Sequence, residues 1–576
     1  MMLLLKLIRI KKKFSTNTFS SLIIINTKKF YTKDEKFSLK IKNGPNLKDF
    51  LKLNDNQHNE SVNSSQDIET LNYDHEIANE IRIDSNTKQN VYLEVYGCQM
   101  NVSDTEVASS ILVNSGKYSL VDDLNHAHII LLMTCAIREG AEAKIFNRLD
   151  VLREYKKYSP NIKIGLLGCM AERLKEKILT KNKHVDIVCG PDAYRKLPDL
   201  LDESTKYGST AMNVQLSMDE TYADVSPLRI NSKTKSAFIS IQRGCNNMCS
   251  FCIVPFVRGR ERSRPINSIL DEIRKLSDEG VKDVTLLGQN VNSYCDLTEN
   301  NELGVSVTMS KDFKTNYKIK NSNGARFIDL LDKSSSINPE MRIRFTSPHP
   351  KDFPNDLLYL IKERKNVCKH IHLPAQSGST TCLDRMRRGY TREAYLNLVE
   401  NIREIVPDVA LTSDFISGFC GETEDEHVET IDLIKTVKYN FCYAFPYSLR
   451  EKTKAFHRFQ DDVPDDVKFR RHTEVVNVFR DCALEVNRNQ IGKTHLVLVE
   501  GDSKRSDSDL AGRNDHNTTV IFEKSHLKSL CENNSNARLP QVGDYVACEI
   551  VSCTSQTMRG IPLYLSSIND FYSINN

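Results

Sequence analysis

Near the start of this chain, three apolar runs each end within a residue or two at a cysteine, and that repeat restricts the fold more than any other feature. Residues 91–95 lead into Gly97-Cys98, residues 128–133 into Thr134-Cys135, and residues 162–167 into Gly168-Cys169. Between them the pattern turns helical. Ser103-Asp-Thr-Glu106 reads as a capping box for a helix reaching Asn114. Further helices are predicted over 138–155 and 171–179, with a fourth strand over 185–188 and Pro191 opening another helix. Strands alternating with helices predict an α/β, doubly wound parallel sheet. Cys98, Cys135 and Cys169 then lie just past the carboxyl ends of their strands, where open α/β sheets bind ligands. Three thiolates converging there can hold three irons of a [4Fe–4S] cube. The residues alone leave open a second reading, three packed or reactive thiols. Cys189 falls within its strand–loop junction and reads as core.

A second cysteine group follows the alternating run 237–241. It is Arg243-Gly244-Cys245-Asn246-Asn247-Met248-Cys249-Ser250-Phe251-Cys252, with C-x3-C-x2-C spacing. Zinc sites usually combine two such pairs, or a pair with histidines, and no second pair or histidine partner stands nearby. Three thiolates on a cube leave one iron open for a ligand. Six strand–helix units begin here, with strands predicted over 237–242, 283–288, 342–346, 370–374, 409–416 and 441–447. Six units give a partial (βα)6 barrel whose reactive centre belongs at the carboxyl ends of its strands. Residues 296–325 read as a surface insertion, and 465–489 as a charged amphipathic helix leaving the barrel. Short strands over 494–500, 518–522, 545–553 and 563–565 predict a small all-β barrel of ~75 residues, comparable to oligonucleotide-binding barrels. Lys504, Arg505, Arg513 and Arg559 there could contact phosphates, or be ordinary solvated charges.

The first 33 of the 576 residues carry eight Lys/Arg and no acid, with Ser and Thr in the gaps, as organelle transit peptides do. Without those eight charges the net +3 becomes −5, so any basic surface on the remainder must be local. Residues 34–88 are polar and rich in Asn, Asp, Lys and Ser, and read as a disordered linker. No apolar stretch approaches the ~18 residues of a membrane span. The 16 cysteines lack the regular short spacings of a secreted disulfide scaffold and suit a reducing compartment. The predicted organisation is a transit peptide over 1–33, the linker over 34–88, the doubly wound domain over 89–207, the barrel over 231–488 and the small β-barrel over 489–570.

Several stretches resemble the radical S-adenosylmethionine (SAM) tRNA methylthiotransferases: Gly97-Cys98-Gln99-Met100-Asn101, Gly168-Cys169-Met170-Ala171-Glu172-Arg173, and Arg243-Gly244-Cys245 through Arg264. Leu373-Pro374-Ala375-Gln376-Ser377-Gly378-Ser379, Met386-Arg387-Arg388-Gly389-Tyr390 and Gly418-Phe419-Cys420-Gly421-Glu422-Thr423 fit as well. The stretches 342–350 and 447–453 are closer to the eukaryotic mitochondrial branch, and the terminal barrel looks like the family's TRAM domain. The resemblance implies methylthiolation of C2 of an N6-isopentenylated adenine beside a tRNA anticodon. It implies a SAM-binding [4Fe–4S] cluster on Cys245, Cys249 and Cys252, and an auxiliary one on Cys98, Cys135 and Cys169. It also implies SAM as cofactor, RNA binding by the TRAM barrel, an electron donor, a sulfur source and a mitochondrial address. Gln289 and Asn290, after the second barrel strand, are expected in the SAM pocket, and the chain is expected to act as a monomer away from membranes. Sibling readings are a ribosomal-protein aspartate methylthiotransferase and a non-enzymatic binding protein on the same fold. Two departures stand out. Met133 precedes Thr134-Cys135 where the family has Asn, which is expected to alter a hydrogen bond behind Cys135. Pro446 lies in the sixth strand, which is expected to bend or shorten there.

Overall fold

The computed structural model describes residues 88–136, 139–300, 302, 309–315, 323–530 and 536–574. The basic segment 1–33 and nearly all of the polar tract behind it lie outside the described residues.

The first sheet is wholly parallel. Its strands are β1 (Gln89–Val95), β2 (Tyr118–Val121), β3 (Ile129–Thr134), β4 (Lys163–Gly168), β5 (Ile187–Cys189) and β6 (Ala211–Asn213), in the order β2-β1-β3-β4-β5-β6. The unbroken apolar run of β3 has a direct cause. Ile129, Leu131 and Met133 pack into one helical layer while Ile130 and Leu132 pack into the other, as a strand covered on both faces requires. Cys189 closes β5, fully buried in the first layer. The predicted helix starts need correction. The first helix is Gln99–Asn114, with Cys98 rather than Ser103 at its N-cap, because the Cys98 carbonyl already accepts from the Asn101 and Val102 N–H groups. The stretch 171–179 divides into Cys169–Leu174 and Glu176–Lys181 at Lys175, whose φ is 48°. Pro191 opens no helix; the next one is Leu197–Tyr207, with a proline in its first turn.

The central region contains β7 (Ser236–Ser240), a short antiparallel pair β8 (Gln242–Arg243) and β9 (Arg262–Ser263), and β10 (Asp283–Leu287). A hairpin β11 (Cys295–Asn300) and β12 (Gly324–Arg326) follows, then β13 (Arg342–Thr346), β14 (His370–His372), β15 (Ala410–Ser417) and β16 (Phe441–Pro446). Six of these strands run parallel in two sheets, β13-β10-β7 and β14-β15-β16, which meet at a bridge between Ile343 and Val367. The stretch 296–325 is more than a surface insertion. Its ends form the β11–β12 hairpin, and Phe313 is buried against Tyr390 with ring centroids 4.9 Å apart. The sixth strand ends at Pro446, which pairs with Ser417 as its last residue. The charged helix Asp465–Arg488 does not leave the region either. Val475 and Phe479 return to the same core, Phe479 meeting Phe441 at 5.5 Å.

The C-terminal region closes as a five-stranded barrel of β17 (Thr494–Ser503), β18 (Ser506–Arg513), β19 (Thr519–Glu523), β20 (Tyr545–Cys553) and β21 (Thr557–Ser566). It docks at the amino ends of the central strands. Arg342 donates to the carbonyls of Leu496 (2.6 Å) and Arg513 (2.7 Å), and Arg344 to those of Asn514 and Asp515 (both 2.8 Å). The Tyr545 hydroxyl reaches the carbonyl of Lys282 at 3.0 Å. Among the candidate phosphate contacts, Arg513 pairs with Glu500 (3.2 Å) and Arg559 with Asp509 (3.1 Å).

This junction carries a pH dependence. Burial, then the neighbouring His516, pushes the His495 imidazole down to about 3 from its usual 6.5. The folded state therefore holds His495 neutral, while the unfolded chain gains a proton below pH ~6.5. Stability from this group is present above that pH and declines by about 1.4 kcal/mol per unit as pH falls toward 3. Thermal melts from pH 7 to 5 should show a steeper loss for wild type than for His495→Asn; parallel slopes would refute the assignment.

Candidate metal centre

The two cysteine trios sit past the carboxyl ends of strands in their respective sheets. In the first, Cys98 follows β1, Cys135 follows β3 and Cys169 follows β4. Asn101 ties the first two loops together, accepting from the Cys98 thiol at 3.2 Å and donating to the Thr134 carbonyl at 2.8 Å. The Thr134 hydroxyl in turn donates to the Leu167 carbonyl at 2.6 Å, which fixes the third loop. Gly97 is required by this approach, because a Cβ there would stand 2.8 Å from Cys135 Cβ. Interaction with Cys135 lowers the Cys98 thiol to about 6, against the effect of burial and with help from the Arg258 charge. Burial pushes the Cys169 thiol up, although Arg258 Nε donates to its sulfur at 3.0 Å.

In the second trio, Cys245 leaves a turn at Gly244, whose φ is 76°. A side chain there would collide with the Arg260 carbonyl, 2.1 Å from the Cβ position. Gln289 holds this turn by accepting from the Gly244 N–H at 2.5 Å. The remainder of the loop is pinned to the opposite half of the region. Ser250 N–H donates to the Met386 carbonyl, and Arg388 Nη1 donates to Cys249 Sγ at 3.2 Å while its other nitrogen holds the Pro374 carbonyl. Burial raises the Cys245 thiol far above its usual range, and the neighbouring Cys252 and Cys249 raise it further. Burial likewise pushes Cys252 up to about 12.

These properties fit iron–sulfur ligation. Burial disfavours the thiolates of Cys169, Cys245 and Cys252, which a bound cation would restore, and each trio has a buried arginine on one sulfur. Among the described residues no three His, Cys, Asp or Glu side chains converge tightly enough for a single ion. A cube differs from such a site in taking each thiolate at a different iron corner. Next to the second trio, Asn290 is fully buried, and its amide makes no well-formed hydrogen bond although the Glu261 carboxyl lies within reach. Burial raises that carboxyl to about 7. Such an amide suits a polar ligand, whereas Gln289 is already committed to the cysteine loop.

The segments carrying the two trios touch. Cys169 packs with Ala136, with Ile253, which follows Cys252, and with Val257 in the short helix after it. Sequence reading missed the charged part of this junction. Asp104 lies fully buried in the first helix, where the run Ser103–Glu106 suggests only a cap. It pairs with Arg243 at 2.8 Å and Arg258 at 2.6 Å. Asp192 pairs with Arg262 at 3.0 Å across the same boundary. The only trace of this in the sequence is the clustering of arginines around the second cysteine group. At the Met133 departure the sulfur still has a hydrogen-bond partner, the Tyr194 hydroxyl at 3.4 Å, which also approaches Asp104.

Comparison with known proteins agrees with this layout. Residues 90–190 match the uncharacterized protein family UPF0004, residues 239–434 the radical SAM superfamily and residues 488–563 the TRAM domain. The chain is 56% identical over 491 residues to the Rattus norvegicus protein named mitochondrial tRNA methylthiotransferase CDK5RAP1, covering 84% of this chain and 83% of that one. The Homo sapiens protein of the same name is 54% identical at the same coverage. The tRNA-2-methylthio-N(6)-dimethylallyladenosine synthase of Chloroherpeton thalassium is 50% identical over 475 residues, covering 82% of this chain and 96% of the relative.

Proposed function

This chain belongs to the radical SAM tRNA methylthiotransferase family, and from that premise we propose that it adds a methylthio group to C2 of N6-isopentenyladenosine beside the anticodon of mitochondrial tRNA. What carries the reading is two trios of cysteines whose segments meet at one buried boundary, in a chain alike over most of its length to enzymes of that name. Cys245, Cys249 and Cys252 hold the SAM-binding cluster on this reading, and Cys98, Cys135 and Cys169 the auxiliary one. When bound, the first cluster with SAM supplies a 5′-deoxyadenosyl radical able to attack an unactivated C–H bond, and the second supplies the sulfur. The chain's own residues position and shield. Gln289 sets the turn from which Cys245 projects, and Asn290 offers its amide to SAM. Ile253, Val257 and Ala136 exclude water between the centres. The TRAM barrel supplies tRNA affinity. An electron donor and a sulfur source are required partners, and one chain suffices as the working unit. The division at 89–207, 231–488 and 489–570 assigns sulfur carriage, radical generation and tRNA holding to successive parts.

Iron and sulfide analysis of anaerobically reconstituted protein tests the ligand assignment. About eight irons per chain are expected from two cubes, and about four would remove the auxiliary cluster. Mass spectrometry of tRNA nucleosides from cells lacking the chain tests the substrate. Loss of the methylthio group is expected; intact tRNA with loss from a ribosomal-protein aspartate would select the sibling activity instead.

A further inference from the structure

The charge bridge that joins the two centres turns on Asp104, which lies outside both cysteine motifs. Asp104 is fully buried, and its two oxygens face Arg243 (2.8 Å) and Arg258 (2.6 Å). Arg243 stands two residues before Cys245 and is steadied by the Tyr222 ring, 4.7 Å from its guanidinium, and by Glu220 at 4.0 Å. Arg258 follows Cys252 in the chain, yet its Nε reaches across to Cys169 Sγ at 3.0 Å. Burying three such charges costs several kcal/mol per ion, so an apolar packing would be the simpler solution if the bridge served stability alone. Arg243 has two carboxylates, whereas Arg258 shares Asp104 and has a cysteine sulfur as its other anionic neighbour. We propose that Arg258, oriented by Asp104, is a positioning and charge-compensating residue for the auxiliary cluster. Its N–H donates to the Cys169 thiolate and stabilises the more negative, reduced cluster. Through Asp104 and Arg243 the same bridge fixes the two cysteine loops against each other. The proposal rests on the reading of Cys169 as a cluster ligand.

Hydrogen bonds to ligand sulfurs and nearby charge set cluster potentials, so the test is a redox titration of the reconstituted full chain followed by electron paramagnetic resonance. Added SAM distinguishes the SAM-binding signal from the auxiliary one. Arg258→Gln should lower the auxiliary midpoint by about 59 mV, a tenfold change in a one-electron equilibrium, and leave the other midpoint in place. Arg258→Lys keeps the charge and should recover part of the shift. Arg388→Gln should do the reverse, moving the SAM-binding signal through Cys249. Arg344→Gln is the structural control: it breaks a buried pair at the amino ends of the central strands, to Asp283, and should lower Tm without moving either midpoint. Eight irons with an auxiliary midpoint unmoved in Arg258→Gln, or moved equally in Arg344→Gln, would overturn the proposal. Four irons and one signal in wild type would overturn the ligand reading and the proposal with it.

Discussion

Cys98→Ala is expected to abolish methylthio transfer to tRNA while reductive cleavage of SAM continues. The two activities divide because the trios draw on different sheets. Cys98, Cys135 and Cys169 follow β1, β3 and β4, whereas Cys245, Cys249 and Cys252 occupy one loop held by Gln289, Met386 and Arg388. Alanine at position 98 deletes one thiolate of three and the hydrogen bond to Asn101, but touches none of the holds on the second loop. Loss of a partner behind a metal ligand typically costs 10–100-fold, so loss of a ligand itself should exceed about a hundredfold in methylthio product. Cys249→Ala should remove both activities, since radical generation precedes transfer. Quantifying 5′-deoxyadenosine and the modified nucleoside in the same reaction separates the outcomes. A Cys98→Ala enzyme that methylthiolates tRNA normally would defeat the auxiliary-cluster assignment.

The second trio is legible from its spacing, and the first for a simple reason. A strand covered on both faces is written as an unbroken apolar run, and its carboxyl end is marked by the residue where that run stops. Cys98, Cys135 and Cys169 stand at three such stops. The strands that escape notice are those without such a run. β2 and β6 are edge strands of four and three residues, and β18 (SDSDLAGR) carries polar residues through most of its length. Ser103-Asp-Thr-Glu106 misleads for a related reason. A capping pattern is local, whereas Asp104 is buried against Arg243 and Arg258, far along the chain.

The arginine contacts were less legible still. The partner of Arg258 is a sulfur on another sheet, and the partners of Arg342 and Arg344 are largely backbone carbonyls, which leave no mark of residue type in the sequence. A basic residue at the start of a barrel strand reads equally well as a solvated charge, and only the docked β-barrel shows otherwise.

That docking gives the second large effect, for Arg344→Ala. Arg344 donates to Asp283 at 2.8 Å and to the carbonyls of Asn514 and Asp515, with its side chain almost wholly buried. Alanine would leave the Asp283 carboxylate buried without this partner and two carbonyls without their donor. Breaking a buried pair from one side costs about 3–5 kcal/mol, a large share of the 5–15 kcal/mol that holds a typical domain. Lysine should rescue little, because a point charge cannot satisfy three acceptors spread across the planar fork of a guanidinium. Arg344 sits on the amino-end side of the central strands, whereas the cysteines lie past the carboxyl ends, so iron content should stay at its wild-type value. What should change is the hold on the β-barrel: an early unfolding transition, protease cleavage between Arg488 and Thr494, and weaker tRNA binding. A single transition at the wild-type Tm would show that Arg342, Tyr545 and the long helix hold the barrel without Arg344.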